Sequence, residues 1–289
     1  MRNFYKIVKE SLHFNRFVLG DTVCLEYNCP LDATQAGIFS QSDYIVHVLS
    51  GKKVWKTING QWTLTAGSTL YLKKGATIVN QYFDDEFCML GFFISDALIA
   101  ETLSGLKGEI PLRNNDQAHQ FTATEVRQSS YLESYFESML MYFRNADKPP
   151  QAIIKIKLQE LLVNIISSDP MLGAYLNALV LTSKPSLVRS MEANFCYNLK
   201  LEEFAELTHR SLSSFKRDFQ QFFQETPGKW LLHKRLEHAA KLLLNSNSNI
   251  TQLAFDCGFE DASHFSRAFK QKMGLSPSEF RATRSVPAF

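Results

Sequence analysis

The stretch Gly258–Arg281, GFEDASHFSRAFKQKMGLSPSEFR, carries its own punctuation. Gly258 suits the left-handed position that ends a helix, and Phe259 suits the apolar contact that accompanies such an ending. Just upstream, Ile250, Leu253, Ala254 and Cys257 recur at helical spacing and form one apolar stripe. Asn249 or a neighbouring serine offers that helix an N-cap. A second helix starts near Asp261 or Ala262 and runs to the stop at Gly274. Ser276-Pro277-Ser278-Glu279 then combines an N-cap, a first-turn proline and a glutamate three residues on, a capping box that opens a third helix. The pattern predicts a helix-turn-helix followed by a supporting helix.

The same pattern stands about fifty residues earlier. Ala205 answers to Ala254 and His209 to Gly258. Past a one-residue difference in the turn, Phe215 answers to Phe265, Arg217 to Arg267, Phe219 to Phe269 and Thr226-Pro227 to Ser276-Pro277. At about 100° per residue, Ser263, Ser266, Arg267 and Lys270 fall on one side of the later helix, opposite Phe265, Ala268, Phe269 and Met273. In the earlier helix Ser213, Lys216, Arg217 and Gln220 share a face opposite Phe215, Phe219 and Phe222. One such helix would mean no more than a solvated polar face. A repeat that keeps core and surface residues together predicts two similar devices aimed at one ligand, and the exposed residue types suit double-stranded DNA. Arginine donates in parallel to guanine O6 and N7. Lysine and glutamine reach base acceptors or phosphates, while serine lets a helix sit deep and donates to phosphate oxygens. His264 lies beside the reading face, either at a base or phosphate or at the groove edge.

Across roughly residues 185 to 286 the chain closely resembles the AraC/XylS family of bacterial transcription regulators. The resemblance rests on LEEFAEL followed by SLSSFKRDFQQFF, then TPGKWLLHKRLEHAAKLLL, then ITQLAFDCGFEDASHFSRAFKQKMGLSPSEFR. It implies two three-helix subdomains joined by a long helix, here about Pro227 to Leu244, with both recognition helices in successive major grooves. The base-contacting positions it implies are Ser213, Lys216 and Arg217, then Ala262, Ser263, Ser266 and Arg267. With their neighbours Ser214, Gln220, His264 and Lys270 they make up the expected DNA-binding set. Two positions depart from the family pattern: His209 replaces the usual turn glycine, and Ala262 offers only a methyl group. The first helix and Arg267 are therefore expected to dominate base reading.

At 289 residues the chain has room for two domains with separate cores. Its 45% hydrophobic and 21% charged residues are those of an ordinary globular protein. From Pro185 onward there are 14 Lys/Arg against 11 Asp/Glu, a net of +3, which is a mild bias and not a basic tail. Specificity should therefore come from placed contacts. Cys24, Cys29, Cys88, Cys196 and Cys257 are odd in number and lack zinc-finger spacing, so they read as reduced, mostly buried thiols, with redox sensing by Cys24 or Cys29 as a minor alternative. No signal peptide or bilayer-spanning run is apparent, which predicts a cytoplasmic protein without membrane contact.

From about Phe17 to Ile94 the pattern changes to strands. Val54 to Ile58 and Gln61 to Leu64 flank Asn59-Gly60, a hairpin signal, and Tyr44 to Leu49, Leu70 to Leu72 and Phe87 to Phe93 add strands between turns such as Asp84-Asp85-Glu86. Many short strands of this kind make a small barrel or sandwich. In layout this resembles the cupin-like barrel that precedes the DNA-binding half in many AraC-type regulators. Metal-using cupins cluster His and carboxylate ligands, whereas His47 is the strand histidine here and His13 lies upstream, so neither a metal nor another cofactor is expected. Trp55, Trp62, Tyr71 and Phe92 either line a ligand cavity or fill a core. Residues 95 to 183 read as helices over Thr122 to Asn145, Gln151 to Ser167 and Met171 to Leu181, too apolar for lone surface helices. They pack on the barrel, form a dimer contact, or do both. A break near Thr182-Ser183-Lys184-Pro185 marks the boundary.

The expected fold is thus α+β. A β-barrel regulatory domain (1–94) and a helical linking or dimerisation region (95–183) precede an all-α DNA-binding domain (184–289). The expected function is sequence-specific transcription regulation, by family analogy activation. RNA polymerase is a further expected partner, and regulation would come through a homodimer or a small-molecule or protein effector whose binding residues the sequence does not reveal. The alternatives are a cupin-like enzyme or a protein-interaction module carrying a helix-turn-helix tail.

Overall fold

Short runs of β-branched and aromatic residues build the front of the chain. In the computed structural model, which describes residues 1–11, 14–28, 35–81, 86–106, 121–181 and 186–283, the chain divides into units Met1–Lys184 and Pro185–Phe289. The first opens with β1 (Arg2–Asn3) and α1 (Phe4–Glu10). Strands follow at β2 (Asn15–Leu19), β3 (Thr22–Asn28), β4 (Gln35–Ser40), β5 (Tyr44–Ser50), β6 (Lys52–Thr57), β7 (Gly60–Thr65), β8 (Thr69–Leu72), β9 (Gly75–Gln81) and β10 (Cys88–Phe93). Then come α2 (Asp96–Gly105), β11 (Ala123–Glu125), α3 (Ser130–Arg144), α4 (Gln151–Ser168) and α5 (Pro170–Leu181).

The strands form two sheets, not a closed barrel: a five-stranded one ordered β1-β4-β9-β6-β7 and a six-stranded one ordered β11-β8-β5-β10-β3-β2. The expected barrel is corrected to a sandwich. Each sheet keeps its own edges, and a shared core of Val23, Leu25, Tyr44, Val46, Trp55 and Leu64 lies between them. The six-stranded sheet is covered on its other face as well, where Phe17, Cys24, Ile45, Tyr71 and Phe92 pack with residues of α2 to α5 such as Ile99, Phe136, Leu158 and Leu176. That explains why β5 and β8 are apolar at successive positions. Along β5, Tyr44 and Val46 face the sandwich and Ile45 faces the helices. Trp55 and Tyr71 accordingly belong to different cores, and Trp62 is half-buried, so the four aromatics do not frame one cavity. Asp43 is buried at the helix-facing side, accepting from Tyr71 Oη (2.6 Å), Tyr175 Oη (2.8 Å) and the Lys74 N–H (2.8 Å). It fastens α5 to the sheet.

Two local expectations shift. The hairpin pairs Thr57 with Gly60, so its turn residues are Ile58 and Asn59, and neither Asn59 nor Gly60 has positive φ. The Asn59 N–H is held by Thr57 Oγ1, and Gly60 makes room for the Trp62 ring, which a Cβ would meet at 3.0 Å. The helix expected from Thr122 begins only at Ser130, capped by Ser129, because Ala123 to Glu125 pairs with β8 instead. The linker Thr182 to Pro185, Cys29, His13 and the Asp84-Asp85 part of the expected turn lie outside the described residues.

The second unit is all-helical: α6 (Leu187–Asn194), α7 (Leu201–Leu207), α8 (Leu212–Phe223), α9 (Pro227–Asn245), α10 (Ile250–Asp256), α11 (Ala262–Met273) and α12 (Pro277–Ala282). The internal repeat is written in its backbone. After α7 the Arg210 N–H bonds the Ala205 carbonyl (3.0 Å) and the His209 N–H bonds that of Glu206 (3.1 Å). After α10 Phe259 and Gly258 make the same bonds to Ala254 (3.0 Å) and Phe255 (2.9 Å). Both turns are Schellman endings with the left-handed residue at His209 (φ 52°) or Gly258 (φ 84°).

Candidate nucleic-acid interface

Both α8 and α11 are oriented by a cap and by two phenylalanines. Ser211 caps α8 by accepting from the Ser214 N–H, and Asp261 caps α11 by accepting from the Ser263 and His264 N–H groups. Phe215 and Phe219 anchor α8, and Phe265 and Phe269 anchor α11, all four fully buried. Phe222, expected among the anchors, is 66% exposed. At that end of α8 the core lies toward Trp230, and Phe223 reaches it, stacking on Phe219 with ring centroids 4.4 Å apart.

With the apolar side fixed, the opposite side of each helix is open. Ser213, Lys216, Arg217 and Gln220 are exposed on α8, with Ser214 half-buried beside them. On α11 Ser263, His264, Arg267 and Lys270 are exposed, and Ala262 and Ser266 are half-buried. Ser266 Oγ donates to the Ala262 carbonyl at 2.8 Å. His264 leans against Phe259 at 5.8 Å between ring centroids, at the margin of this face. The pattern in the sequence therefore delivers two polar, cationic faces on equivalent helices. It gave no signal for Arg210 and Asp218. Arg210 Nε donates to Asp218 Oδ2 (3.1 Å) and Arg210 Nη1 to the Thr208 carbonyl (2.8 Å), while Arg217 Nη2 donates to Asp218 Oδ1 (3.2 Å). The Arg210 guanidinium first, and Arg217 after it, hold the Asp218 carboxyl below the usual range.

A seam joins the two helix-turn-helix units. Arg235 of α9 donates from Nε to the Phe195 carbonyl and from Nη2 to the Tyr197 carbonyl, both at 2.7 Å. The turn at Gly258 presses on the same loop, so that a Cβ there would stand 2.7 Å from the Cys196 carbonyl oxygen and 2.9 Å from Arg235 Nε. Asn198 Nδ2 adds a bond to Glu260 Oε1 (2.8 Å).

His47 is buried, stacked on Phe136 (3.7 Å between centroids) and bonded through Nδ1 to Thr69 Oγ1 (2.9 Å), and burial lowers its pKa to about 4. It is a packed strand residue. Burial also raises the Cys24, Cys196 and Cys257 thiols to about 12 and Cys88 to about 11, which keeps them protonated at neutral pH. The space bounded by Asp43, Tyr71, Ile99 and Leu162 is too tight for a water molecule. No helix of the described residues is long and apolar enough to cross a membrane.

Comparison with known proteins matches residues 204–283 to the helix-turn-helix domain family and residues 43–173 to the ExsA N-terminal regulatory domain family. The virulence regulon transcriptional activator VirF of Yersinia enterocolitica is 27% identical over 252 residues, covering 84% of this chain and 90% of VirF. The transcriptional activator RhaS of Citrobacter koseri is 27% identical over 236 residues, 79% of this chain and 81% of RhaS. A crystal structure of an apo ToxT variant from Vibrio cholerae superposes with a TM-score of 0.45 at 15% identity, covering 91% of this chain and 98% of that one. Fold and comparisons together define a DNA-binding transcription regulator, with a regulatory unit preceding a double helix-turn-helix unit. The families and relatives that the two units match are regulators of the AraC/XylS type.

Proposed function

We propose that α8 and α11 enter successive major grooves on one face of a duplex and that this binding activates transcription. Arg217 and Arg267 would read bases, Ser213, Lys216, Ser263 and Ser266 would contact base edges or phosphates, and Ala262 would meet a thymine methyl. Ser214, Gln220, His264 and Lys270 complete the interface at its margins. The observation that carries this reading is the equivalence of the two copies. Each presents an exposed arginine at the same position, two residues past the first buried phenylalanine of a helix behind the same left-handed turn. Activation is supported by the names of VirF and RhaS. The regulatory unit would act through homodimerisation or through a small-molecule or protein effector, RNA polymerase would be the partner at the promoter, and the protein would work in the cytoplasm.

Selection of genomic fragments by the full-length protein at physiological salt tests this. The expected product is a motif with two elements about 10 base pairs apart, one per recognition helix. Arg217→Ala and Arg267→Ala should each weaken binding to that motif by about 1–3 kcal/mol and relax base preference in one element only. If both variants keep full affinity and preference, the assigned faces are wrong.

A further inference from the structure

The two copies differ in how their reading arginine is held. In the second, the position after the arginine is Ala268, and the acid acting on Arg267 is Asp261, already engaged as N-cap by the Ser263 and His264 N–H groups. In the first, the position after the arginine is Asp218, whose side chain is 23% exposed and has one oxygen for each of two arginines. Oδ2 takes Arg210 Nε at 3.1 Å, and Oδ1 takes Arg217 Nε at 3.4 Å and Nη2 at 3.2 Å. Arg217 Nη2 also donates to Ser214 Oγ at 3.4 Å. Arg210 is itself fixed, 11% exposed, because its Nη1 closes the end of α7 on the Thr208 carbonyl. It stands where the second turn has the buried Phe259. A chain of bonds therefore runs from the turn through Arg210 and Asp218 to the outer edge of α8, and it leaves Arg217 Nη1 uncommitted.

A carboxyl group on a face meant for phosphates weakens binding to every sequence alike, so its presence there calls for a use. A guanidinium fork held in place loses less freedom when it meets a base than a loose one, and Arg217, 75% exposed, would otherwise be loose. We propose that Asp218, itself held by Arg210, is a positioning residue that holds the Arg217 guanidinium so that its Nη1 is aimed for base reading, and the first helix-turn-helix discriminates bases more sharply than the second. This rests on the reading of α8 as a DNA-facing helix.

The test uses full-length wild type, Asp218→Asn, Asp218→Ala, Arg210→Gln and Arg217→Ala against a duplex library randomised over three helical turns, with thermal melts alongside. Arg217→Ala marks the positions that Arg217 reads. At those same positions Asp218→Asn and Asp218→Ala should lower the ratio of best to next-best base roughly three- to tenfold, the share of a base contact through Nη1 that depends on a fixed guanidinium. Their binding to random duplex should be equal or tighter, since a negative charge is gone. Arg210→Gln, which leaves the acid but frees it, should give a smaller loss at the same positions. The positions read by α11 should not change, and a merely structural role would flatten both elements together with a lowered melt. Full retention of preference in Asp218→Asn, or an even loss across both elements, overturns the proposal. If Arg217→Ala flattens nothing, the assignment of the α8 face fails first and takes the proposal with it.

Discussion

At the scale of single residues, burial decides what a titratable group does. His47 faces the helices from β5, and the imidazole that the fold keeps neutral has a pKa lowered to about 4 by that burial. In the unfolded chain the same group titrates near its ordinary value of about 6.5. Above that pH both states are neutral and the fold has its full stability. As pH falls from 6.5 toward 4, the unfolded chain takes up a proton that the fold refuses, so stability declines by about 1.4 kcal/mol per pH unit, to about 3 kcal/mol in all. Denaturant melts of wild type and His47→Gln from pH 7.5 to 4.5 should show that part of the slope vanish in the variant. Parallel slopes would mean that the folded imidazole accepts a proton freely. His47 was legible as a strand residue from alternation along β5. Its stacking partner Phe136, 89 positions away in sequence, was not, because nothing local encodes which helix covers a sheet.

At the scale of elements, legibility follows the reach of the signal. Caps and stops are local chemistry, so Gly274 and the Ser276 to Glu279 box were readable residue by residue and occupy those roles, and of Asn249 and its neighbouring serines it is Asn249 that caps α10. Strand pairing is not local. Whether the strands close or stay as two sheets depends on edges far apart in the chain, and the strand β11 inside a helical pattern exists because β8 offers it an edge. The repeat also exposes two places where the first copy carries strain that the second avoids. Gln224 ends α8 with φ 56°, while its counterpart Gly274 ends α11 with φ 80°; His209 and Gly258 form the other such pair. Gln224→Gly should raise stability by about 0.5–1 kcal/mol, the left-handed penalty less the added chain entropy. Gly258→Ala should lower it by roughly 2–4 kcal/mol, since the new methyl would meet the Cys196 carbonyl as well as the unfavourable φ. Calorimetry on the pair checks both signs. A neutral Gly258→Ala would show that the turn relaxes away from the loop that carries Cys196.

At the scale of the molecule, the proposed reading of two grooves at once would demand that the two helix-turn-helix units keep a fixed phase. The seam around Arg235 has the means to set it. One guanidinium in α9 holds two carbonyls of the loop after α6, and the turn of the other unit, at Gly258, packs against that loop and against Arg235 itself. Lysine has one charged nitrogen and no fork, so Arg235→Lys should leave one of the buried carbonyls without its partner and soften the joint. Inserting one base pair between the two elements turns the second by about 34° relative to the first, which a rigid pair of helices follows badly and a loosened pair follows well. With duplexes carrying the selected elements at native spacing and at one or two base pairs more or less, wild type should favour one spacing strongly. Arg235→Lys should bind the native duplex more weakly yet lose much less on insertion, and base preference within each element should stay the same. An unchanged spacing preference with only a lower melting temperature would make the seam a stability device, and the phase of the reading helices would then have to come from α9 alone.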